Sequence, residues 1–236
     1  NILYAYKIYS NSFILVKIFK KSLERMSVRT LVKQERRDRI LSCAKELISH
    51  EGFEGLSIRV LAAKAKVSTP TIYNLVGNKE DILHFLGETI VQQLTEAYQS
   101  SAEEDPIKKA KEIVQTLHQI YAQDEYYSRE LFIGKSALSQ TGYGGASENI
   151  PMLKVAKDIC ESALKKKLLR GEVSSAVLGQ GIGNSVYLAQ LGWIQGSLGL
   201  AEFERQAMTG IYLTLAADAM PKLQIRLVKY LKQMSV

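Results

Sequence analysis

Along most of the chain, apolar residues recur every three to four positions, which is the spacing of amphipathic α-helices. The pattern becomes regular at Arg36 and predicts a first helix that ends where Gly52 takes a left-handed conformation. Proline, which breaks helices, occurs only four times in 236 residues. These observations predict an all-α fold.

Residues that cap helices mark where the next elements begin. Ser57 is predicted to cap a short second helix. Thr69 is predicted to cap a short third helix, with Pro70 as its first helical residue. Asn78 is predicted to cap a long fourth helix that begins at Lys79 and ends at about residue 101. Further helices are predicted, to within about two to four residues, at 106–123, 125–139, 151–170, 173–198, 201–219 and 221–234, with a loop at 141–147.

The positive charge of the chain is concentrated in its first third. Residues 1–35 carry seven basic and two acidic side chains, residues 36–80 carry eight and five, and residues 81–236 carry sixteen and seventeen. The net charges are therefore +5, +3 and −1, which make up the +7 of the whole chain. A basic segment joined to a near-neutral one suits a phosphate-binding head on a regulatory body, although charge alone does not identify nucleic-acid binding.

Two interpretations of residues 1–30, an N-terminal extension, are open. In the first, Met26 is the natural start, and the residues before it are artificially added or come from upstream translation. In the second, the extension is native, because Leu15, Phe19, Leu23 and Met26 recur at helical spacing.

The segment Val60–Tyr73 predicts a helix-turn-helix. Leu61 and Ile72 are placed to pack two short helices at a steep angle, with the turn at residues 66–68. The exposed side of the second of these helices then carries side chains that hydrogen-bond to base edges and phosphates in a major groove. Any small helical bundle also has a polar face, so this pattern alone leaves both interpretations open.

Four motifs extend the pattern at regular spacing. They are Arg39-Ile-Leu-x-x-Ala44, His50-Glu-Gly-Phe-Glu-Gly-Leu-Ser-Ile58, Ala62-x-x-Ala65-x-Val67-Ser68-x-x-Thr71-Ile-Tyr73 and Asn78-Lys79-Glu80-x-Ile82-Leu83. Together they resemble the N-terminal signature of the tetracycline-repressor (TetR) family of transcriptional regulators. The rest of the chain resembles that family only in its length and its helical pattern.

The resemblance implies a repressor that binds a palindromic operator in double-stranded DNA as a homodimer and is released by a small-molecule effector. It places a helix-turn-helix DNA-binding domain at residues 31–83 and a helical effector-binding and dimerisation domain at residues 84–236. The alternative is an effector-independent architectural or partner-recruiting protein of the same fold. Neither interpretation requires catalysis or a cofactor, and we expect the protein not to be an enzyme.

The resemblance also assigns DNA contacts residue by residue. The residues implied to contact phosphates are Ser57, Arg59, Tyr73 and Lys79. The residues implied to face bases are Thr69, Pro70, Thr71 and Asn74. The family often has a polar residue where this chain has Leu75, so the base preference is not carried over.

Aromatic residues and glycines in the second part of the chain suggest where an effector and a partner subunit bind. The aromatic residues predicted to line an effector cavity are Tyr121, Tyr126, Phe132, Tyr187 and Trp193, although core packing is the alternative for each of them. They favour an apolar or aromatic effector. The glycines predicted to allow close approach of a second subunit are Gly179, Gly183, Gly192 and Gly196.

The remaining candidates for chemistry are weak. Cys43 and Cys160 lie among apolar neighbours and are predicted to be buried hydrophobes rather than a redox pair. The three histidines have no metal-binding spacing, so no metal site is predicted. We expect a cytoplasmic protein that does not cross a membrane, because no apolar run reaches the required length of about 18 residues.

Overall fold

The computed structural model describes residues 30–138 and 150–234, and within these ranges the chain forms ten α-helices. They are α1 (residues 30–55), α2 (Ile58–Lys64), α3 (Thr69–Leu75), α4 (Lys79–Ser100), α5 (Pro106–Gln123), α6 (Glu125–Leu138), α7 (Ile150–Lys165), α8 (Ser175–Ile194), α9 (Leu200–Ala216) and α10 (Pro221–Met234). The all-α prediction is confirmed. None of the helices described is long and apolar enough to span a membrane. The predictions for residues 1–29 and for the loop at 141–147 lie outside the described residues.

The helices belong to two compact units. The first consists of the described residues up to Glu46 together with Ser57–Ile82. The second consists of Leu47–Leu56 and the described residues from Leu83 onward. Helices α1 and α4 each begin in the first unit, and their later residues belong to the second.

The second unit is built around α5, α8 and α9, whose inward faces are apolar. Trp193 is fully buried and stacks on Tyr121, with ring centroids 4.6 Å apart and ring planes 6° apart. Phe203 of α9 packs against both rings. This aromatic cluster joins three helices and forms the centre of the core.

A left-handed residue ends α7 earlier than the sequence pattern predicts. Lys167 has φ 55°, and its N–H donates to the carbonyl of Leu164 while the N–H of Leu168 donates to that of Ala163. These two bonds form a Schellman cap, which satisfies carbonyl groups at the end of a helix. The predicted helix 151–170 is therefore too long at its C-terminal end, because lysine gives no sequence signal for a left-handed cap.

Asp218 explains why the chain is not helical directly before α8 and directly after α9. Its carboxylate is 1% exposed and accepts hydrogen bonds from the N–H groups of Gly171, Glu172 and Val173, at 2.9, 3.1 and 3.3 Å. The N–H of Arg170 donates to the carbonyl of Asp218 at 2.8 Å. We call this set of bonds the Asp218 clasp. It ties the α7–α8 connection to the end of α9, so the helices predicted at 173–198 and 201–219 are shorter at these ends.

Candidate nucleic-acid interface and ligand cavity

In the first unit, α2 and α3 form the predicted helix-turn-helix. Ser57 caps α2, with its hydroxyl accepting a hydrogen bond from the N–H of Val60 at 3.2 Å. Leu61 of α2 and Ile72 of α3 have no exposed surface, and they lie with Ile40 of α1 in the core of the unit. The burial of these side chains fixes the two short helices together.

The turn between α2 and α3 depends on a lysine in a conformation that usually requires glycine. Lys66 has φ 53°. Its N–H donates to the carbonyl of Ala63 at 3.2 Å, and the N–H of Val67 donates to the carbonyl of Ala62 at 3.0 Å. This Schellman cap ends α2 and turns the chain sharply into α3.

Ser68, and not Thr69, caps α3. The Ser68 hydroxyl accepts from the N–H of Thr71 at 3.3 Å and lies 2.8 Å from the Thr71 hydroxyl. Thr69 is thus the first helical residue and Pro70 the second. The prediction of Thr69 as the cap is wrong because both hydroxyl residues suit the position, and only the backbone at Ser68 has the extended conformation of a cap.

All eight residues predicted to contact DNA lie at the surface of the first unit. Thr71 and Lys79 are half-buried, and the others are exposed: Ser57, Arg59, Thr69, Pro70, Tyr73 and Asn74. Tyr73 is 54% exposed, so its ring and hydroxyl are accessible at the surface. Leu75 is half-buried. Hydroxyl, amide and guanidinium groups on one short helix and the residues around it suit base edges and phosphates.

The start of α4 adds a lysine at a helix N-terminus to the candidate interface. The Asn78 side chain accepts from the N–H of Asp81 at 3.0 Å, and the Asp81 carboxylate accepts from the N–H of Asn78 at 2.9 Å. This reciprocal cap, predicted for Asn78, makes Lys79 the first residue of α4. A lysine at a helix N-terminus is well placed for a phosphate.

The second unit contains a cavity of about 410 Å³ between α4, α5, α6, α7 and α8. Its buried inner wall includes Leu94, Leu117, Tyr121, Met152 and Gln190. Its outer rim includes the exposed residues Ile133, Ser136 and Gln195. The volume falls within the range of small-molecule sites, and most of the lining side chains are apolar.

The cavity brings together three of the five aromatic residues that were predicted to meet an effector. Tyr121, Phe132 and Tyr187 line it. Trp193 lies behind Tyr121 rather than in the wall, and its indole N–H donates to Glu125 at 3.0 Å. Tyr126 is 51% exposed, does not line the cavity, and places its hydroxyl against Gly52.

Several lining residues were not among the sequence candidates. Helix α4 contributes an apolar stripe of Ile90, Val91 and Leu94, and Gly87 lies one turn earlier. Gln190 of α8 is 92% buried, because its exposed fraction is only 8%. The sequence feature that could have identified Gln190 is its position between Val186 and Trp193, at helical spacing on a face that is otherwise apolar.

The four glycines predicted at a subunit interface have close neighbours within this chain. Gly179 lies against the backbone of Lys157 in α7, and Gly183 lies against Leu153 of the same helix. Gly192 lies against Leu198, and Gly196 has φ 75° in the turn after α8. Their small size therefore has an intramolecular reason, and their role in a dimer stays a prediction.

The cysteines have the surroundings expected of structural residues. Burial raises the pKa of the Cys160 thiol to about 12, so this thiol stays protonated, while Cys43 is half-buried. Among the described residues, no group of three or more His, Cys, Asp or Glu side chains could hold a metal ion.

Comparisons with known proteins agree with this geometry. The family model described as "Bacterial regulatory proteins, tetR family" matches residues 40–85, which contain the helix-turn-helix. The chain is 41% identical over 54 residues to tetracycline repressor protein class E from Escherichia coli, an alignment that covers 23% of this chain. The chain thus spans about a quarter (26%) of the length of that relative.

Solved structures share the fold over a larger part of the chain. A putative TetR-family transcriptional regulator from Syntrophomonas wolfei superposes with a TM-score of 0.62 at 23% identity, over 77% of this chain and 95% of that one. FadR from Thermus thermophilus, a TetR-family repressor in complex with lauroyl-CoA, superposes with a TM-score of 0.61 at 21% identity, over 78% and 97%. At this identity the likeness shows the fold alone. The helix-turn-helix of this chain therefore matches that of the TetR family of bacterial regulatory proteins, and its fold is that of solved TetR-family regulators.

Proposed function

We propose that this protein is a DNA-binding transcriptional repressor that leaves its operator when a small apolar molecule occupies the cavity of the second unit. The observation that carries the DNA part is the exposed polar surface of α3, on a helix whose one buried residue is Ile72. We further propose that the eight surface residues divide as the resemblance implies, with Thr69, Pro70, Thr71 and Asn74 at bases and the others at phosphates.

The effector part is supported by the cavity itself. The cavity of about 410 Å³ has a mostly apolar lining and an exposed rim, so an apolar ligand of matching size gains by removing that lining from water. The FadR relative was solved with lauroyl-CoA, whose acyl chain is apolar. By analogy we propose an effector with an apolar body for this chain.

Two helices that line the cavity, α4 and α6, could transmit a shift caused by the ligand to the residues proposed to contact DNA. Helix α4 carries Ile90 and Val91 at the cavity and Lys79 at its start, 11 and 12 residues earlier. At 1.5 Å per residue this separation is roughly 17 Å along one continuous helix. A ligand that shifts α4 therefore also shifts Lys79.

Helix α6 offers a second connection. Its Phe132, Ile133 and Lys135 line the cavity. Its Glu130 accepts a hydrogen bond from the N–H of Phe53 at 2.8 Å, close to the end of α1. We propose that a ligand lowers operator affinity by favouring positions of α4 and α6 that two DNA-bound subunits cannot adopt.

We propose that the protein is a two-fold dimer, since a palindromic site requires two heads. The outer surface of α8 and α9 suits this role. Val177 and Leu188 of α8 and Leu213 of α9 are each more than half exposed, which is unusual for large apolar side chains on adjacent helices. Val177 and Leu188 are 11 residues apart, about three helical turns, and therefore lie on one side of α8.

Selection of bound sequences from random double-stranded DNA tests the DNA-binding proposal directly. We expect one palindromic consensus, with half-sites separated by about one helical turn of DNA. Recovery of many unrelated sequences would favour the effector-independent architectural alternative. Failure to enrich any sequence would contradict DNA recognition by α3.

A cavity-filling variant tests the effector part without knowledge of the ligand. Val91→Trp adds an aromatic side chain inside the cavity wall, and we expect it to lower operator affinity as a bound ligand would. The matched control is Val228→Trp, which adds the same side chain at an exposed position of α10 outside the cavity. If a folded Val91→Trp variant kept full operator affinity, occupation of the cavity would not control DNA binding.

A further inference from the structure

We propose that the effector is a neutral amphiphile, an apolar molecule with one uncharged hydroxyl or carbonyl group that hydrogen-bonds to Tyr121 and Gln190 inside the cavity. This inference rests on the proposed function, because it names the chemistry of the ligand that would occupy the same cavity. It follows from the polar groups of the cavity wall, their burial and their lack of partners.

Among the described residues, Tyr121 and Gln190 are the polar members of the buried inner wall. Tyr121 is 2% exposed, and Gln190 is 8% exposed. Within the described residues, neither the hydroxyl of Tyr121 nor the side-chain amide of Gln190 makes a hydrogen bond to another protein group. Neither group is completely enclosed by protein atoms. Both groups therefore face the space of the cavity.

The two groups lie on α5 and α8, which meet where the ring of Tyr121 contacts Trp193. Gln190 and Trp193 are three residues apart on α8, which places them on the same face of the helix. The Trp193 ring stacks on the ring of Tyr121 with centroids 4.6 Å apart. Both polar groups line the same cavity, so one ligand can contact both of them. Buried polar groups without partners are costly, and a ligand that pairs with them recovers that cost.

The inner wall favours a neutral group over a charged one. Burial raises the pKa of Tyr121 well above its ordinary value, so its hydroxyl stays a neutral donor and acceptor. The amide of Gln190 is neutral at every pH. Among the described lining residues Lys135 alone has a formal charge at neutral pH, and its amine lies against Gly87 of α4. A carboxylate bonded to Tyr121 and Gln190 would find no charged group at either of these residues of the buried inner wall, so its burial would be costly.

The size of the cavity sets the length of the molecule. At about 30 Å³ for a water-sized group, 410 Å³ accommodates roughly 12 to 14 non-hydrogen atoms. The lining beyond the two polar residues is mostly apolar, including Ile90, Leu94, Leu117 and Val186. An unbranched molecule of about ten carbons with one polar group meets both requirements.

The fluorescence of Trp193 provides an assay that does not involve DNA. Trp193 is the only tryptophan of the chain, and it stacks directly on Tyr121. We would titrate the full chain with 1-decanol, 2-decanone and decanoate, which absorb only weakly or not at all where tryptophan is excited. We expect the alcohol and the ketone to bind, and decanoate at pH 7.3 to bind at least about 100-fold more weakly. A carboxyl group with an ordinary pKa of about 4.3 is neutral in only about one molecule in 1000 at that pH.

Lowering the pH should reveal the same preference. Decanoate affinity should rise about tenfold for each pH unit between pH 7.3 and 5.5, because only its neutral form fits, whereas 1-decanol affinity should stay constant. Decanoate binding as tight as that of 1-decanol at pH 7.3 would overturn the proposal. Failure of all three molecules to change the fluorescence would overturn it as well.

Variants of the two polar residues complete the test. Tyr121→Phe keeps the ring stack, and Gln190→Leu keeps the approximate volume of the side chain. Each should weaken 1-decanol about five- to tenfold, the loss of one hydrogen bond. Tyr212→Phe, which changes a buried tyrosine outside the cavity, should bind 1-decanol as the wild type does. Unchanged 1-decanol affinity in the folded Tyr121→Phe and Gln190→Leu variants would contradict the assignment, whatever the DNA-binding assays show.

Discussion

The Asp218 clasp allows a quantitative prediction about the stability of the second unit. The carboxylate is 1% exposed and accepts three backbone N–H groups of a connection about 45 residues away in the sequence. In Asp218→Ala these three donors lose their acceptor. A hydrogen bond to a charged group contributes about 1.5 to 3 kcal/mol, and the bond from Val173, at 3.3 Å, is the weakest of the three. Partial access of water to the freed N–H groups reduces the loss.

We therefore expect Asp218→Ala to lower the free energy of unfolding by about 3 kcal/mol. For a unit of this size the melting temperature should fall by about 6 to 12 °C, at roughly 2 to 4 °C per kcal/mol. Asp218→Asn keeps one carbonyl oxygen but turns an amide N–H₂ towards a donor, so it should cost about 1 to 2 kcal/mol. The assay is thermal and urea unfolding followed by circular dichroism at 222 nm.

The matched control for Asp218 is Glu172→Ala. Its side chain lies in the same connection but is exposed, so its loss should change the free energy of unfolding by less than about 0.5 kcal/mol. If Asp218→Ala were as stable as this control, the clasp would contribute nothing. The explanation of the late start of α8 and the early end of α9 would then be wrong.

Other predictions concern single residues. Partial burial alone raises the pKa of Asp105, but the hydrogen bond from the N–H of Ile107 and the ion pair with Arg226 at 2.8 Å outweigh it and lower that pKa. Asp105→Asn should therefore destabilise the protein at neutral pH by about 1 kcal/mol, and the difference should vanish as the pH falls below about 4. Lys167→Gly should stabilise by about 0.5 to 1 kcal/mol, because glycine adopts φ 55° without steric cost. Leu188→Glu should convert the dimer into monomers in light scattering, since it places a charge on the proposed interface.

Each of these predictions can fail on its own measurement. A constant stability difference between wild type and Asp105→Asn from pH 7 to pH 3 would show that the lowered pKa does not matter for folding. A lower melting temperature for Lys167→Gly would mean that the left-handed conformation carries no strain. A Leu188→Glu protein that stays dimeric at micromolar concentration would move the interface away from the outer side of α8.

Much of the fold could be predicted because its signals are local. The caps at Ser57 and Asn78 were predicted correctly, since each depends on a side chain and backbone groups only three residues away. The helix-turn-helix was predicted for the same reason, because its packing positions recur within 15 residues. The cap of α3 was misplaced by one residue because Ser68 and Thr69 are equally suitable by composition.

The parts that could not be predicted depend on distant contacts. Asp218 bonds to Gly171, and no local pattern connects two residues 47 positions apart. The division of the aromatic residues between cavity and core has the same origin. Tyr126 and Tyr127 are neighbours of similar chemistry, yet one is exposed and the other buried, because adjacent residues of a helix face different directions. Gln190 was missed because a single amide on an apolar helix face has no evident function until the fold places it in the same cavity wall as Tyr121.

We propose above all that α3 contacts bases while Lys79 contacts a phosphate. One titration series tests this division of roles most directly. Operator affinity would be measured by fluorescence anisotropy over a range of salt concentrations for wild type, Lys79→Ala and Asn74→Ala. We expect Lys79→Ala to weaken binding to all sequences alike and to lower the slope of log affinity against log salt by about one per head. Asn74→Ala should keep the slope and relax the base preference at one position of each half-site. A changed base preference in Lys79→Ala with an intact salt slope would contradict the assignment.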